Sequence, residues 1–269
     1  MSLSSQPAMA TEPDAPVLLI EQRDGITTLT LNRPARFNVL SIEMLEALQS
    51  AVDRLDDATR VVVIAAQGRA FCAGHDLKEM SGHTDRDWHA ALFERCSDLM
   101  RSLLALPQPV IARVHGLATA AGCQLVANAD LAIASDNARF AVSGIDVGLF
   151  CSTPSVPLSR NIARKRALEL LLTGDFVSAE TACDWGLVNR VVSPDELDAA
   201  VEELARRIAS KSAVAVSMGK SLFYQQLERP LNEAYAMASE AMADSMMADD
   251  VAEGIDAFQQ KRPAVWQHR

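Results

Sequence analysis

The sequence predicts an α/β fold, in which repeated strand–strand–helix turns are closed by a C-terminal helical layer. Three observations carry this reading. Apolar runs such as VVVIAA (61–66) and PVIARV (109–114) have the length and β-branched content of buried strands. Stretches rich in small residues follow them, each leading into a segment with apolar residues at helical spacing. From Val156 onward the helical period dominates, interrupted only by VNRVV (188–192). A chain of 269 residues has room for one extended α/β domain with an appendage. With 49% hydrophobic and 22% charged residues, its composition is that of a globular protein, neither disordered nor fibrous.

Taken in order, residues 1–15 read as a flexible tail, without the basic end and apolar run of a signal peptide. VLLIEQ (17–22) and ITTLTL (26–31) flank Arg23-Asp24-Gly25 and form a hairpin. Asn32-Arg33-Pro34 ends the second strand, and Ser41 caps a helix over IEMLEALQSAVDRL (42–55). VVVIAA is a buried strand, and residues 81–87 lead into a helix over 88–106. PVIARV is the next strand, a helix runs through 124–127, and LAIAS (131–135) and ARFAV (138–142) are two short strands. GIDVGLFCSTPS (144–155) is a loop, and the segments beyond it are helical.

The formal charge of −10 argues against broad binding of nucleic acid or anionic membranes, while leaving room for a local basic patch. No stretch approaches the length of a membrane span. Cys72, Cys96, Cys123, Cys151 and Cys183 are odd in number and form no C-x-x-C pair, so neither a disulfide framework nor a metal site is indicated. The expected location is cytoplasmic.

Two stretches carry the chemistry: GRAFCAGHDLKEM (68–80) and VHGLATAAGCQL (114–125). Each reads as a small-residue loop between a strand and a helix, and small side chains let a ligand approach backbone N–H groups. Two such loops could form an oxyanion hole. Fixed N–H donors stabilise the negative oxygen of a thioester enolate without reorganising, which points to an acyl thioester.

The order strand, A-F-x-A-G-x-D-L, strand, H-G-x-A-x-x-G-C resembles the crotonase family of enoyl-CoA hydratases and isomerases. LNRPARFNVL (31–40), ADLAIASDNARF (129–140) and EGIDAFQQKR (253–262) support the resemblance, which covers most of the chain. It implies a crotonase-like spiral of ββα turns, with a core over 16–205 that holds the thioester site. It also implies a C-terminal helical region over 206–269 that builds a homotrimer or a dimer of trimers. Met237, Met242, Met246 and Met247 could face a neighbouring subunit there, or be buried within the monomer.

By family position the oxyanion donors would be the backbone N–H groups of His75 and Ala121. The backbone at Ala70 and Ala73 would meet the adenine end of coenzyme A, which enters as part of the substrate; no prosthetic group is implied. Lys261 would offer a cation to a CoA phosphate, and Arg36 occupies a position that is often basic; each could instead be a solvated surface charge. The His75 ring either shapes the acyl pocket or serves as a general acid. Asp76 fixes its loop, and His115 has a turn or packing role.

Hydratases of the family use two glutamates, whose positions fall here on Gln124 and Gly144. Neither can exchange a proton at neutral pH, and each lost acid or base is worth roughly 10²- to 10⁴-fold in rate. Asp146 reads as a loop-fixing carboxylate more readily than as a replacement, and Cys151, Ser152 and Thr153 are uncharged. The resemblance is to a divergent subgroup of enoyl-CoA-hydratase-domain proteins that lack the paired glutamates. It implies an enzyme of fatty-acid or related acyl-CoA metabolism in which ordinary hydration is weak. The alternatives are a non-catalytic acyl-CoA-binding or partner-modulating protein, and a hydrolase or isomerase of a specialised acyl-CoA.

Overall fold

A computed structural model describes residues 15–268; the tail expected over 1–15 lies almost wholly outside them. The chain begins with the hairpin β1 (Leu18–Arg23) and β2 (Ile26–Leu31), paired antiparallel from Leu18↔Leu31 to Arg23↔Ile26. Asp24 and Gly25 turn the chain with φ of 53° and 78°, the left-handed pair that matches the twist of a two-residue hairpin. After α1 (Ile42–Asp53), whose Ser41 cap accepts from the Met44 N–H, come β3 (Val61–Ala66) and the short β4 (Ala70–Cys72). Then follow α2 (Leu77–Ser81), α3 (Arg86–Ala105), β5 (Val110–Val114), β6 (Leu117–Thr119) and α4 (Ala121–Asn128). The next strands are β7 (Leu131–Ser135) and β8 (Arg139–Ala141).

The helical half comprises α5 (Ser152–Asn161), α6 (Arg164–Thr173), the two-residue β9 (Val177–Ser178), α7 (Ala179–Trp185) and β10 (Arg190–Val192). It ends with α8 (Leu197–Ala209), α9 (Ala213–Leu227), α10 (Leu231–Ser245) and α11 (Asp249–Gln260). The segment 144–155, expected as one loop, opens in a 3-10 turn (Ser143–Val147) and closes in the first turn of α5. β4, β6 and β9 were not expected, because each is only two or three residues long and the first two lie inside the small-residue loops.

Two sheets organise the molecule. The larger has strand order β1-β2-β3-β5-β7-β10, and the smaller β4-β6-β8-β9. Beyond the first hairpin and the β8–β9 pair, the ladders are parallel. β3 is buried along its whole length because both faces are covered. Val62, Ile64 and Ala66 join the main core, while Val61 and Val63 join Ile111 and Ile133 under Leu197, Val201 and Ala205 of α8. A boundary at residue 205 therefore falls inside α8, a helix that caps the large sheet.

α9 and α10 contain no buried residue, and Met242, Met246 and Met247 are exposed. Of the four methionines of that stretch only Met237 is half-buried, so burial within the monomer does not account for the stripe. All five cysteines are free.

Candidate functional site

The site lies where the two small-residue loops leave adjacent strands of the smaller sheet. β4 and β6 run parallel, with Cys72 opposite Ala118, so the loops after them emerge side by side. The Thr119 hydroxyl donates to the Ala73 carbonyl at 3.1 Å, tying one loop to the other. Gly74 has φ of 91°, and a Cβ there would come within 2.9 Å of the Ala120 Cβ and 3.2 Å of the Ala121 nitrogen. Only glycine permits both the conformation and this approach.

A third segment clamps the first loop from outside. The Ala73 N–H donates to the Phe37 carbonyl at 3.0 Å, and the Leu40 N–H to the Gly74 carbonyl at 2.8 Å. Arg36 pairs with the buried Asp76. Through its other oxygen, Asp76 accepts from the N–H groups of Lys78 and Glu79, at 3.0 and 3.3 Å, and so caps α2. Asn38, fully buried at φ of 53°, accepts from the Arg33 N–H and donates to the carbonyls of Gln67 and Ala70, each at 2.8 Å. Asn tolerates the left-handed region, which suits it to this corner.

The backbone N–H of Ala121 has no backbone hydrogen bond among the described residues, and His75 forms an isolated parallel bridge with Leu40, closed by the Leu40 N–H on the Gly74 carbonyl. Ala121 is the first residue of α4, where an N–H has no partner within the helix. Ala120, which aims it, stands at φ 49° and ψ −120°, a region disfavoured for any residue with a side chain. Such conformations cost about 1–3 kcal/mol and persist only where the surroundings impose them.

Both residues line a cavity of about 260 Å³, walled mainly by Leu77, Met80, Phe93, Val147, Leu149 and Phe150. An apolar chamber beside a free N–H donor can hold an acyl chain and stabilise a developing oxyanion. Phe93, Leu77 and Met80 were not anticipated. The signal for Phe93 was available: it stands off the buried stripe of Leu92, Cys96, Leu99, Met100 and Leu103 on α3.

The remaining expected residues fall into two groups. Gly144 lines the cavity, and a Cβ there would lie 2.6 Å from the Leu149 carbonyl oxygen and 2.7 Å from the Cys151 Sγ. The loop has closed over this position, so no side chain fits without moving it. Gln124 is buried on α4, one turn from Ala121, and its Oε1 has no partner. Burial pushes the Cys151 thiol up, away from a reactive thiolate. Asp146 lies elsewhere: its carboxylate sits about 3.0 Å from where a Gly174 Cβ would be, outside the cavity wall.

Three of the groups expected to meet coenzyme A, at Arg36, Ala70 and Ala73, are already engaged. Ala70 is 1% exposed, and its carbonyl accepts from Asn38. Ala73 spends its N–H on Phe37 and its carbonyl on Thr119, which leaves a ligand only a second carbonyl lone pair. Arg36 serves Asp76 in this structure. Lys261 is exposed at the left-handed end of α11, away from the cavity, with no ion pair among the described residues. Among the described residues no cluster of His, Cys, Asp and Glu could hold a metal ion, and no helix is long and apolar enough to cross a membrane.

Comparison with known proteins places these features in a wider group. The family described as Enoyl-CoA hydratase/isomerase matches residues 21–269. The rat protein named "Enoyl-CoA hydratase domain-containing protein 3, mitochondrial" is 45% identical over 98% of this chain and 89% of its own. The human protein of that name is 49% identical over 92% of this chain and 82% of its own. A crystal structure of an enoyl-CoA hydratase from Mycobacterium smegmatis superposes with a TM-score of 0.92 at 55% identity, covering 94% of this chain and 99% of the other. The cytoplasmic location expected from the sequence is corrected by these comparisons, since the rat and human relatives are named as mitochondrial. Free cysteines suit any reducing compartment and never singled out the cytoplasm.

Proposed function

Because the chain belongs to the enoyl-CoA hydratase/isomerase family, we propose that it acts on an acyl-CoA thioester whose carbonyl oxygen is held by the N–H groups of His75 and Ala121. The observation that carries this is the unbonded Ala121 N–H at the start of α4, beside an apolar cavity that His75 also lines. As the thioester gains enolate character, charge moves onto its oxygen. The Ala121 donor, fixed by α4, meets that charge without rearrangement, and the His75 N–H joins it from the neighbouring loop; one such donor is worth about 3 kcal/mol of transition-state stabilisation.

Ordinary hydration by this protein is slow. It needs one group to activate water and another to deliver a proton; Gln124 is an amide and Gly144 has no side chain. The His75 ring does not supply the acid. Its Nδ1 lies 3.3 Å from the Leu40 carbonyl, which can only accept, so the ring proton sits on Nδ1, and burial lowers the pKa, which disfavours the doubly protonated ring an acid would need.

The absence of both carboxylates also supports a second reading, an acyl-CoA-binding protein without turnover. Loss of the conjugated-enoyl absorbance of crotonyl-CoA, with a glutamate-containing hydratase as control, separates the two. Measurable turnover, reduced at least about 100-fold by Gly74→Ala, supports the enzyme. Binding of crotonyl-CoA and other acyl-CoAs without any product leaves the binding protein, and failure to bind any acyl-CoA removes both.

A further inference from the structure

We infer that the Cys151 thiol adds to the β-carbon of α,β-unsaturated acyl thioesters and so captures them covalently in the acyl cavity. The inference rests on the acyl-thioester reading and goes beyond it to a reaction of this side chain. Cys151 is the N-cap of α5 and lines the same cavity as Ala121 and Gly144. Its Sγ lies 2.7 Å from where a Gly144 Cβ would be, so the sulfur stands in the space that a side chain at 144 would enter. α5 packs against α4, where Gln124 projects from the Ala121 face one turn further on. Gln124 is 3% exposed and its Oε1 has no partner. A buried acceptor left open beside the cavity is costly in the free protein, as expected of a site that its ligand completes.

An α,β-unsaturated thioester is electrophilic at Cβ, and an N–H bonded to its carbonyl oxygen makes it more so. The S–Cβ bond forms as the C=C π bond opens, and the electron pair passes to the thioester oxygen as an enolate beside the Ala121 N–H. Water receives the thiol proton, and the enolate takes a proton from water at Cα. CoA stays attached, and no oxidant or reductant is consumed. Ser143, Ser152 and Thr153 line the same wall, but an unassisted hydroxyl is a far weaker nucleophile than a thiol. Gln124 is an amide and cannot activate water, so a bound enoyl thioester persists long enough for a slow thiol to reach it. The thiol is slow because burial keeps it protonated, which also spares it from electrophiles that the cavity does not activate.

The test is intact-mass spectrometry of the whole protein after incubation with crotonyl-CoA, followed by peptide mapping. The expected result is a gain of one complete crotonyl-CoA, carried by Cys151, whereas butyryl-CoA, which has no double bond, adds nothing. With crotonyl-CoA below saturation, butyryl-CoA at about ten times its dissociation constant slows the gain about tenfold by occupying the cavity. Cys151→Ser abolishes the gain, and Cys183→Ser leaves it unchanged. A gain of the crotonyl group alone, a gain at other cysteines, no gain, or no protection by butyryl-CoA would overturn the inference.

Should Cys151→Ser fail to fold, the peptide map of the wild type and its protection by butyryl-CoA decide the matter without it. If crotonyl-CoA and butyryl-CoA both fail to bind in a calorimetric titration, the thioester reading itself falls; binding without a covalent gain removes only the present inference.

Discussion

The Lys220 ammonium lies 2.7 Å from the Asp130 carboxylate with both side chains almost wholly withdrawn from water, 6% and 13% exposed. All three ammonium protons are used, since Lys220 also donates to the carbonyls of Leu103 and Gln108 at 3.0 and 2.9 Å. Asp130 in turn accepts from the Tyr224 hydroxyl and from the Val110 N–H. This network fastens α9 to the start of β5, although no apolar residue of α9 is buried. Lys220→Met should strand the carboxylate and destabilise the fold by about 3–5 kcal/mol, read from urea unfolding. A loss below about 1 kcal/mol would mean that α9 is held by something else.

Ala120 tests whether strain is stored beside the site. Ala120→Gly removes the side chain that makes φ 49°, ψ −120° unfavourable. After allowance for the greater freedom of glycine in the unfolded chain, stability should rise by about 1 kcal/mol. A lower melting temperature would show that the Ala120 Cβ contributes more by packing than it costs in strain.

Much of the fold was legible from local signals, and the site less so. Ser41 capped its helix and Asp24-Gly25 turned its hairpin as expected, because both act through neighbours in sequence. The pairings that shape the site span 36 to 40 residues: Ala73 with Phe37, and Asp76 with Arg36. Nothing local marks them, so Arg36 read as a free cation and the Ala73 backbone as available. Gly144 read as a missing glutamate, a comparison of residue types. Its packing against Leu149 and Cys151 shows in addition that the loop has contracted around the glycine. Restoring the glutamate therefore calls for a rebuilt loop as well as a new side chain.

Acid should weaken the protein earlier than its carboxylates would. Burial holds the pKa of His75 and of His115 below the ordinary 6.5. As pH falls through about 6.5 the unfolded chain takes up these protons and the folded chain does not, so stability falls on acidification and rises again with pH. Melting temperatures followed from about pH 8 to pH 5 should show this decline, and His115→Gln should flatten it. An unchanged slope in that variant would assign the decline to other groups.

The C-terminal helices should bring subunits together. Leu231, Met242, Met247 and Phe258 are 72%, 71%, 83% and 85% exposed, an apolar surface that an isolated chain would present to water. Sedimentation should find a trimer or a dimer of trimers at micromolar concentration, and Met247→Glu with Phe258→Glu should shift it to smaller species. A wild-type monomer would contradict the assignment.

The β4–β6 register has a consequence for how such a site can diversify. Cys72 stands opposite Ala118, and His75 and Ala121 each come three residues later. The two N–H groups are thus matched by counting along the backbone, with no demand on side-chain identity. Point substitutions at the cavity wall can exchange one acyl group for another while this spacing survives. A single inserted or deleted residue in either loop would throw the pair out of step. Descendants of such a chain can therefore change substrate readily by substitution, whereas changes of loop length are closed to them.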